Sequence, residues 1–216
     1  MSGETAAIAP PPRRRQEDRS ARSERLLMEA AVELLVSRGI DGTTLNAIAE
    51  GSGYSRGLVT HRFGSKAGLL SSVHDTVAQR WIAHVSGRVG DAVGVEALRQ
   101  LADALLGFIA ESPQELRALY LLRYTSIDAG AEFRANVAKV NRAQRRDVER
   151  WIEAGQNNGT IAPTLDAALH AEMFCALLDG LIYRWLVNPN IEIGNIHQLL
   201  KDQLVLFEAA APAPAG

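Results

Sequence analysis

The sequence predicts an all-α protein of about nine helices: an N-terminal three-helix domain with a helix-turn-helix, then a larger helical bundle. Three observations carry this. Apolar residues recur at spacings of three and four along most of the chain, with no alternating run of the kind a strand leaves. Glycines and prolines fall between these stretches and mark their ends. Within residues 43–66, TTLNAIAEGSGYSRGLVTHRFGSK, two short helical patterns flank a tight Gly-Ser-Gly turn.

The first nineteen residues, with Pro10-Pro11-Pro12 before Arg13-Arg14-Arg15, cannot build a core and read as a disordered arm. The arginines suit a solvated tail or, alternatively, an arm reaching a DNA minor groove. Ser20 to Arg38 reads as the first helix. Thr44 can cap the second, on which Leu45, Ile48 and Ala49 form an apolar face. Gly51-Ser52-Gly53 ends it, and Ser55 can cap a third helix running to about Arg62, anchored by Leu58, Val59 and Phe63. Neither start carries a capping box, because Ala47 and Leu58 stand where Glu or Gln would be needed.

Downstream, residues 65–89 form one long helix, ended by Gly87, Gly90 and Gly94. Leu98, Leu101, Leu105, Phe108 and Ile109 line the next. Pro113 opens a helix with Leu116, Leu119, Tyr120, Arg123, Tyr124 and Ile127. A long helix from Phe133 to Ile152 closes near Gly155–Gly159. Residues 166–187 are apolar on most sides, Asn188-Pro189-Asn190 stops them, and Ile196–Phe207 is the last helix. The Ala/Pro-rich end, 210–216, reads as a disordered tail. The domains expected are therefore 20–66 and 67–209.

The run from Gly39 to Lys66 resembles the DNA-binding domain of TetR-family transcriptional regulators. Gly39, Thr43-Thr44, Ile48-Ala49, Gly53, Ser55-Arg56-Gly57, Phe63 and Ser65-Lys66 carry the likeness, and Ala30-Ala31 with Leu34-Leu35 fit the helix before it. Where that family often has aromatics in the recognition helix, this chain has Thr60 and His61. The resemblance implies a homodimeric, ligand-responsive regulator, most often a repressor, that binds a palindromic operator in double-stranded DNA. Thr44, Ser55, Arg56, Gly57, Thr60, His61 and Lys66 are the expected DNA-binding residues. Thr44, Thr60 and Lys66 would hold phosphates, and Arg56 and His61 would read base edges, with two recognition helices about 34 Å apart.

The resemblance also implies a small-molecule effector, of unknown identity, held among the later helices. Trp81, Phe108, Tyr120, Arg123, Tyr124, Trp151 and Phe174 are the candidate lining, apolar walls with a few polar handles. It further implies that the last two helices pair with those of a second subunit. Met173, Leu177, Gly180, Leu181, Trp185, Leu200 and Leu204 are the candidate interface; burial of all of them in a monomer core is the alternative.

Composition fits. Hydrophobic residues make up 47% of 216 residues, and the net charge is −2. Residues 1–66 hold ten Lys and Arg against eight Asp and Glu, so DNA affinity must come from placement rather than bulk charge. Cys175 is the single cysteine, which excludes an intrachain disulfide and a cysteine metal cluster. With no secretory signal and no apolar run of about 18 residues, a cytoplasmic protein with no membrane contact and no cofactor or metal is expected.

Several motifs carry no chemistry. Gly53-Tyr54-Ser55-Arg56-Gly57 matches the nucleophile-elbow pattern but lacks the strand that pattern needs, so no catalytic residue is expected. His170-Ala171-Glu172 with Cys175 lacks the paired cysteines of a zinc deaminase. Gly64-Ser65-Lys66 is too short for a phosphate loop. Arg142, Arg145, Arg146 and Arg150, interleaved with Asp147, Glu149 and Glu153, read as a salt-bridged solvent face. A DNA-binding regulator without an effector, and an all-helical carrier or enzyme, remain as alternatives.

Overall fold

The computed structural model describes residues 12–188 and 190–207. Among them it holds nine α-helices, a closing 3-10 turn and no strand. The chain divides into two compact units, Met1–Leu69 and Leu70–Gly216, the break lying just past the expected boundary at Lys66.

In the first unit α1 spans Pro12–Gly42, α2 Leu45–Ser52 and α3 Arg56–Phe63. The helix begins at Pro12, inside the stretch expected to be disordered. Proline's fixed φ suits a first helical turn, and RRRQEDRSARSER after it has no breaker. Residues 1–11 and 208–216, and with them most of the expected arm and the tail, lie outside the described residues. Leu27, Met28, Ala31, Leu34 and Leu35 form the buried stripe of α1, and Ile48, Val59 and Phe63 bury against the same small core. Gly39, at φ 68 and ψ −173, breaks α1 close to the expected end. The buried Thr43 then donates its hydroxyl to the Gly39 carbonyl at 2.7 Å and fixes the corner.

In the second unit the core gathers on α5, Gly94–Glu111, which packs against α6, Pro113–Thr125; α7, Ala131–Asn157; α9, Ile193–Gln203; and the closing turn Leu204–Phe207. α8, Ala167–Val187, lies along α7. α4, Lys66–Val89, runs from the end of the first unit into the second. Gly87 sits inside α4 and does not end it; Gly90, at φ 54, follows its last residue. The last helix starts at Ile193, three residues before the expected Ile196, and changes to 3-10 geometry at Leu204. Asp103 of α5 accepts from Lys201 Nζ at 2.9 Å and pairs with His197 Nε2 at 2.8 Å, which docks α9. Burial would raise the Asp103 carboxyl, but the hydrogen bonds and charges of Lys201 and His197 outweigh it and hold its pKa low. Arg145 pairs with Glu149 and Glu172, and Arg150 with Asp147, so two of the four arginines in that cluster are ion-paired as expected.

The start of α5 meets the end of α7 through two glycines. A Cβ on Gly155 would stand 2.6 Å from the Gly94 Cα and 2.8 Å from the Ile161 side chain. We expect Gly155→Ala to destabilise this unit by about 1–3 kcal/mol. All three tryptophans, Trp81, Trp151 and Trp185, lie in this unit, so denaturant unfolding followed by their fluorescence measures it; an unchanged midpoint would refute the contact.

Candidate nucleic-acid interface and ligand cavity

The turn that defines the interface is fixed by three local devices. Thr44 Oγ1 accepts from the Ala47 amide at 3.1 Å and starts α2. Gly53, at φ 74, ends it in the left-handed region that glycine adopts without strain. Ser55 Oγ accepts from the Leu58 amide at 3.2 Å and starts α3. Val59 and Phe63 then point inward, which leaves Arg56, Gly57, Thr60 and His61 exposed along one short helix, with Thr44 and Ser55 exposed beside their helix starts. Both hydroxyls keep a donor for an anion while they accept from the cap amide.

Two residues sit differently from expectation. Leu58 is 37% exposed and does not anchor α3; Val59 and Phe63, four residues apart, share the buried face, and Leu58 points about 100° away from Val59 around the helix. Lys66 is half-buried, with Nζ 3.5 Å from the Asp41 carbonyl oxygen, so it ties the start of α4 to the end of α1. Arg62 pairs with Glu24 of α1 and braces α3. Arg22 and Arg19 of α1 line an open groove with Leu26, Tyr54 and Leu58, which adds basic groups near the start of α3. The sequence reading missed these arginines because only folding brings α1 beside Tyr54.

In the second unit a narrow cavity of ≈ 20 Å³ is walled by Trp81, Leu105, Leu116, Leu119, Leu178 and Ile182. It has room for about one water. Its polar lining is Tyr120, Arg123, Gln144, Cys175 and Asp179. Arg123 donates Nη1 to Asp179 Oδ1 at 2.9 Å and Nη2 to Gln144 Oε1 at 3.2 Å. Tyr120 donates its hydroxyl to the same Asp179 oxygen, and burial raises its pKa well above the usual phenol value, so it stays a donor. Burial, then the charges of Asp179 and Glu172, push the Cys175 thiol up to about 11, which keeps it protonated and unreactive. A second cavity of ≈ 40 Å³ shares Trp81 and Gln144 with the first and adds Leu101, Val148 and Trp151 among its walls.

Of the seven expected lining residues, then, Trp81, Tyr120 and Arg123 meet in one cavity and Trp151 lines the other. Phe108 is buried behind Trp81, with ring centroids 5.3 Å apart, and Phe174 is core against Phe207. Tyr124 is half exposed and packs on Tyr183. Gln144 and Asp179 were missed as lining; each is one polar residue on a helix, and only packing of α6, α7 and α8 brings them to Arg123.

The expected interface divides in the same way. On α8 the residues Ala171, Phe174, Leu178 and Ile182 are buried, and the opposite stripe, Leu169, Met173, Leu177 and Gly180, is exposed. Met173 is 51% and Leu177 43% exposed. Leu181 and Trp185 are partly buried on their own core. Leu200 and Leu204 are fully inside it, because the Asp103 ion pairs lay α9 down on α5, and they are not available to a partner.

Beside this cluster His74 of α4 is wholly buried. Its Nδ1 lies 3.2 Å from Asp75 Oδ1, its ring meets Phe133 edge-on, and its Nε2 has no hydrogen-bond partner. Burial lowers its pKa against the opposing hydrogen bond and charge of Asp75, and Arg123's charge lowers it further. The unfolded chain therefore takes up the proton first. Stability is full above about pH 6.5 and falls as pH drops below that value. The unfolding midpoint, read by tryptophan fluorescence, should decline from pH 7.5 to 5.5, and decline less in His74→Asn; equal slopes would refute this assignment.

A short exposed helix held in a helix-turn-helix, joined to a separate helical unit with an internal cavity, defines the one-component transcriptional regulators. Comparison with known proteins agrees. Residues 27–73 match the family described as bacterial regulatory proteins, tetR family, and residues 94–206 match the BetI-type transcriptional repressor C-terminal domain. The chain belongs to the TetR family of transcriptional regulators and is a regulator, not an enzyme. It is 33% identical to the HTH-type transcriptional regulatory protein RaaS of Mycobacterium tuberculosis over 155 residues, 71% of this chain and 66% of that protein. It is 28% identical to the HTH-type transcriptional regulator TtgR of Pseudomonas putida over 189 residues, 82% of this chain and 86% of that one. Among solved structures, a protein from Saccharomonospora viridis in complex with choline has the same fold, with TM-score 0.77 and 20% identity over 88% of this chain and all of that one. No helix among the described residues is long and apolar enough to cross a membrane.

Proposed function

We propose that this chain is a cytoplasmic, homodimeric repressor that reads an inverted-repeat operator with α3 and is released by a small molecule bound in its second unit. The observation that carries the reading is the division of α3: Val59 and Phe63 are buried, and Arg56, Gly57, Thr60 and His61 all face solvent. Arg56 and His61 contact base edges, arginine pairing with guanine; Thr44, Ser55 and Thr60 hold phosphates. Lys66, tied to Asp41, acts first as a brace and secondarily on phosphate. The exposed stripe Leu169, Met173, Leu177 and Gly180 is the face that a second copy covers, since a large apolar stripe left in water marks an interaction surface. The effector acts through α4, which begins in the reading unit and carries Trp81 of the cavity wall. It shifts DNA affinity only as far as its own affinity differs between the two arrangements.

Two tests follow. Selection of genomic fragments at near-physiological salt should enrich an inverted repeat, and Arg56→Ala/His61→Ala should lose it, with roughly 10- to 100-fold weaker binding to the selected site. Equal, salt-sensitive binding by both proteins would refute the contacts. Leu177→Glu should turn the dimer into a monomer in sedimentation while the far-UV helix signal is kept, and it should weaken operator binding. A dimer that survives this change would refute the proposed face.

A further inference from the structure

We infer that the effector is an amphipathic organic acid whose carboxylate takes the place of Asp179 on Arg123. This rests on the proposed function only in placing an effector in the second unit. The argument is one of unequal burial within an ion pair. The Arg123 side chain is 10% exposed, whereas that of Asp179 is 47% exposed. Asp179 already faces water and can turn out once another acceptor takes its hydrogen bonds from Arg123 and Tyr120, whereas the buried Arg123 stays. Arg123 is also under-satisfied. Its Nε is buried without a partner, Nη2 has the neutral Gln144 amide oxygen, and Nη1 has Asp179 at 2.9 Å with the Tyr120 hydroxyl more distant at 3.5 Å. A buried guanidinium with an orphan N–H carries a desolvation cost that an incoming acceptor relieves.

The other groups of the cavity point to the same ligand charge. Tyr120 is held as a neutral donor and Cys175 as a neutral thiol; Asp179 is the one carboxylate lining the first cavity, and Asp147, on the second, is paired with Arg150. With Asp179 turned out, the remaining lining carries a single positive charge, and Arg123 Nε and Nη1 and the Tyr120 hydroxyl are the donors that its departure leaves to a ligand. A monoanion with two acceptor oxygens matches that set. A quaternary ammonium ion would meet a buried guanidinium that cannot move away, beside a carboxylate already engaged by it. A neutral ligand would leave Nε as it stands. For its apolar body the acid needs the two cavities, ≈ 20 and ≈ 40 Å³, to be joined: Trp81 and Gln144 border both, so the Trp81 ring, packed on Phe108 and His84, has to move aside when the acid binds.

The test uses the full-length protein and sets of probes with the same body and three head groups. These are straight-chain acids of four to twelve carbons and ω-phenyl acids, their primary amides, and the corresponding trimethylammonium ions. Tryptophan fluorescence and thermal shift read binding, and release from the selected operator reads function. The acid should bind about 10- to 100-fold more tightly than its amide. Arg123→Gln should bring acid and amide to near-equal affinity. Asp179→Asn, which removes the competing carboxylate, should tighten acid binding and leave the amide unchanged; a purely structural ion pair would instead weaken both together. A trimethylammonium or amide preferred over its acid overturns the assignment while leaving an effector in place. Failure of every head group in every series overturns the assignment and counts also against a small-molecule effector in this cavity, whereas the operator selection stands apart from both.

Discussion

An eight-residue helix has no independent stability in water, since nucleation consumes most of what its few hydrogen bonds return. Both helices of the helix-turn-helix are of that length. The reading head exists only because Ile48, Val59 and Phe63 give it a core against the stripe of α1, and because Thr44, Gly53 and Ser55 settle its ends. The residues that would touch DNA contribute little to that core. Reading chemistry and folding are thus divided between opposite sides of one short helix, so α3 can change what it recognises without losing its place. Arg62 marks the limit of that freedom: it has the charge of a DNA contact, but its partner is Glu24 and its work is to brace α3.

The second unit is arranged around a similar division in α8. One stripe, from Ala171 to Ile182, completes the core with α5 and α7; the opposite stripe stays apolar in water. Burying one stripe explains the fold, but not why the other shows Leu169, Met173 and Leu177 to water, with Arg184 set between the last two around the helix. A covering partner, as proposed above, would account for that exposure, whereas Leu200 and Leu204 are buried within their own unit, where the ion pairs of Asp103 dock α9.

Periodicity and punctuation made the helix count, the turn chemistry and the exposed set on α3 legible in the sequence. Pattern alone could not say which apolar residues of a helix face their own chain, so Leu58 read as an anchor, and Leu200 and Leu204 as surface. Helix propensity after Pro12 was outweighed in the reading by the charge run that follows, where a helix in fact forms. The cavity was half legible. Aromatics announce themselves one at a time, and Trp81, Tyr120 and Arg123 were found in that way. Gln144 is one of many polar residues on α7 and Asp179 one of several on α8, and their role comes only from meeting Arg123 across three helices.

That meeting also bears on how the second unit is held together. Arg123 has polar partners on α6, α7 and α8 through Tyr120, Gln144 and Asp179, and its charge reaches His74 on α4. A buried charge with partners on several helices makes their arrangement depend on how that charge is satisfied. Exchanging one partner for another redistributes hydrogen bonds among helices that otherwise touch through interchangeable apolar contacts. Packed cores move between discrete arrangements rather than deforming continuously. The polar centre of this unit thus ties α6, α7 and α8 together around one buried charge, in the unit that the chain enters along α4.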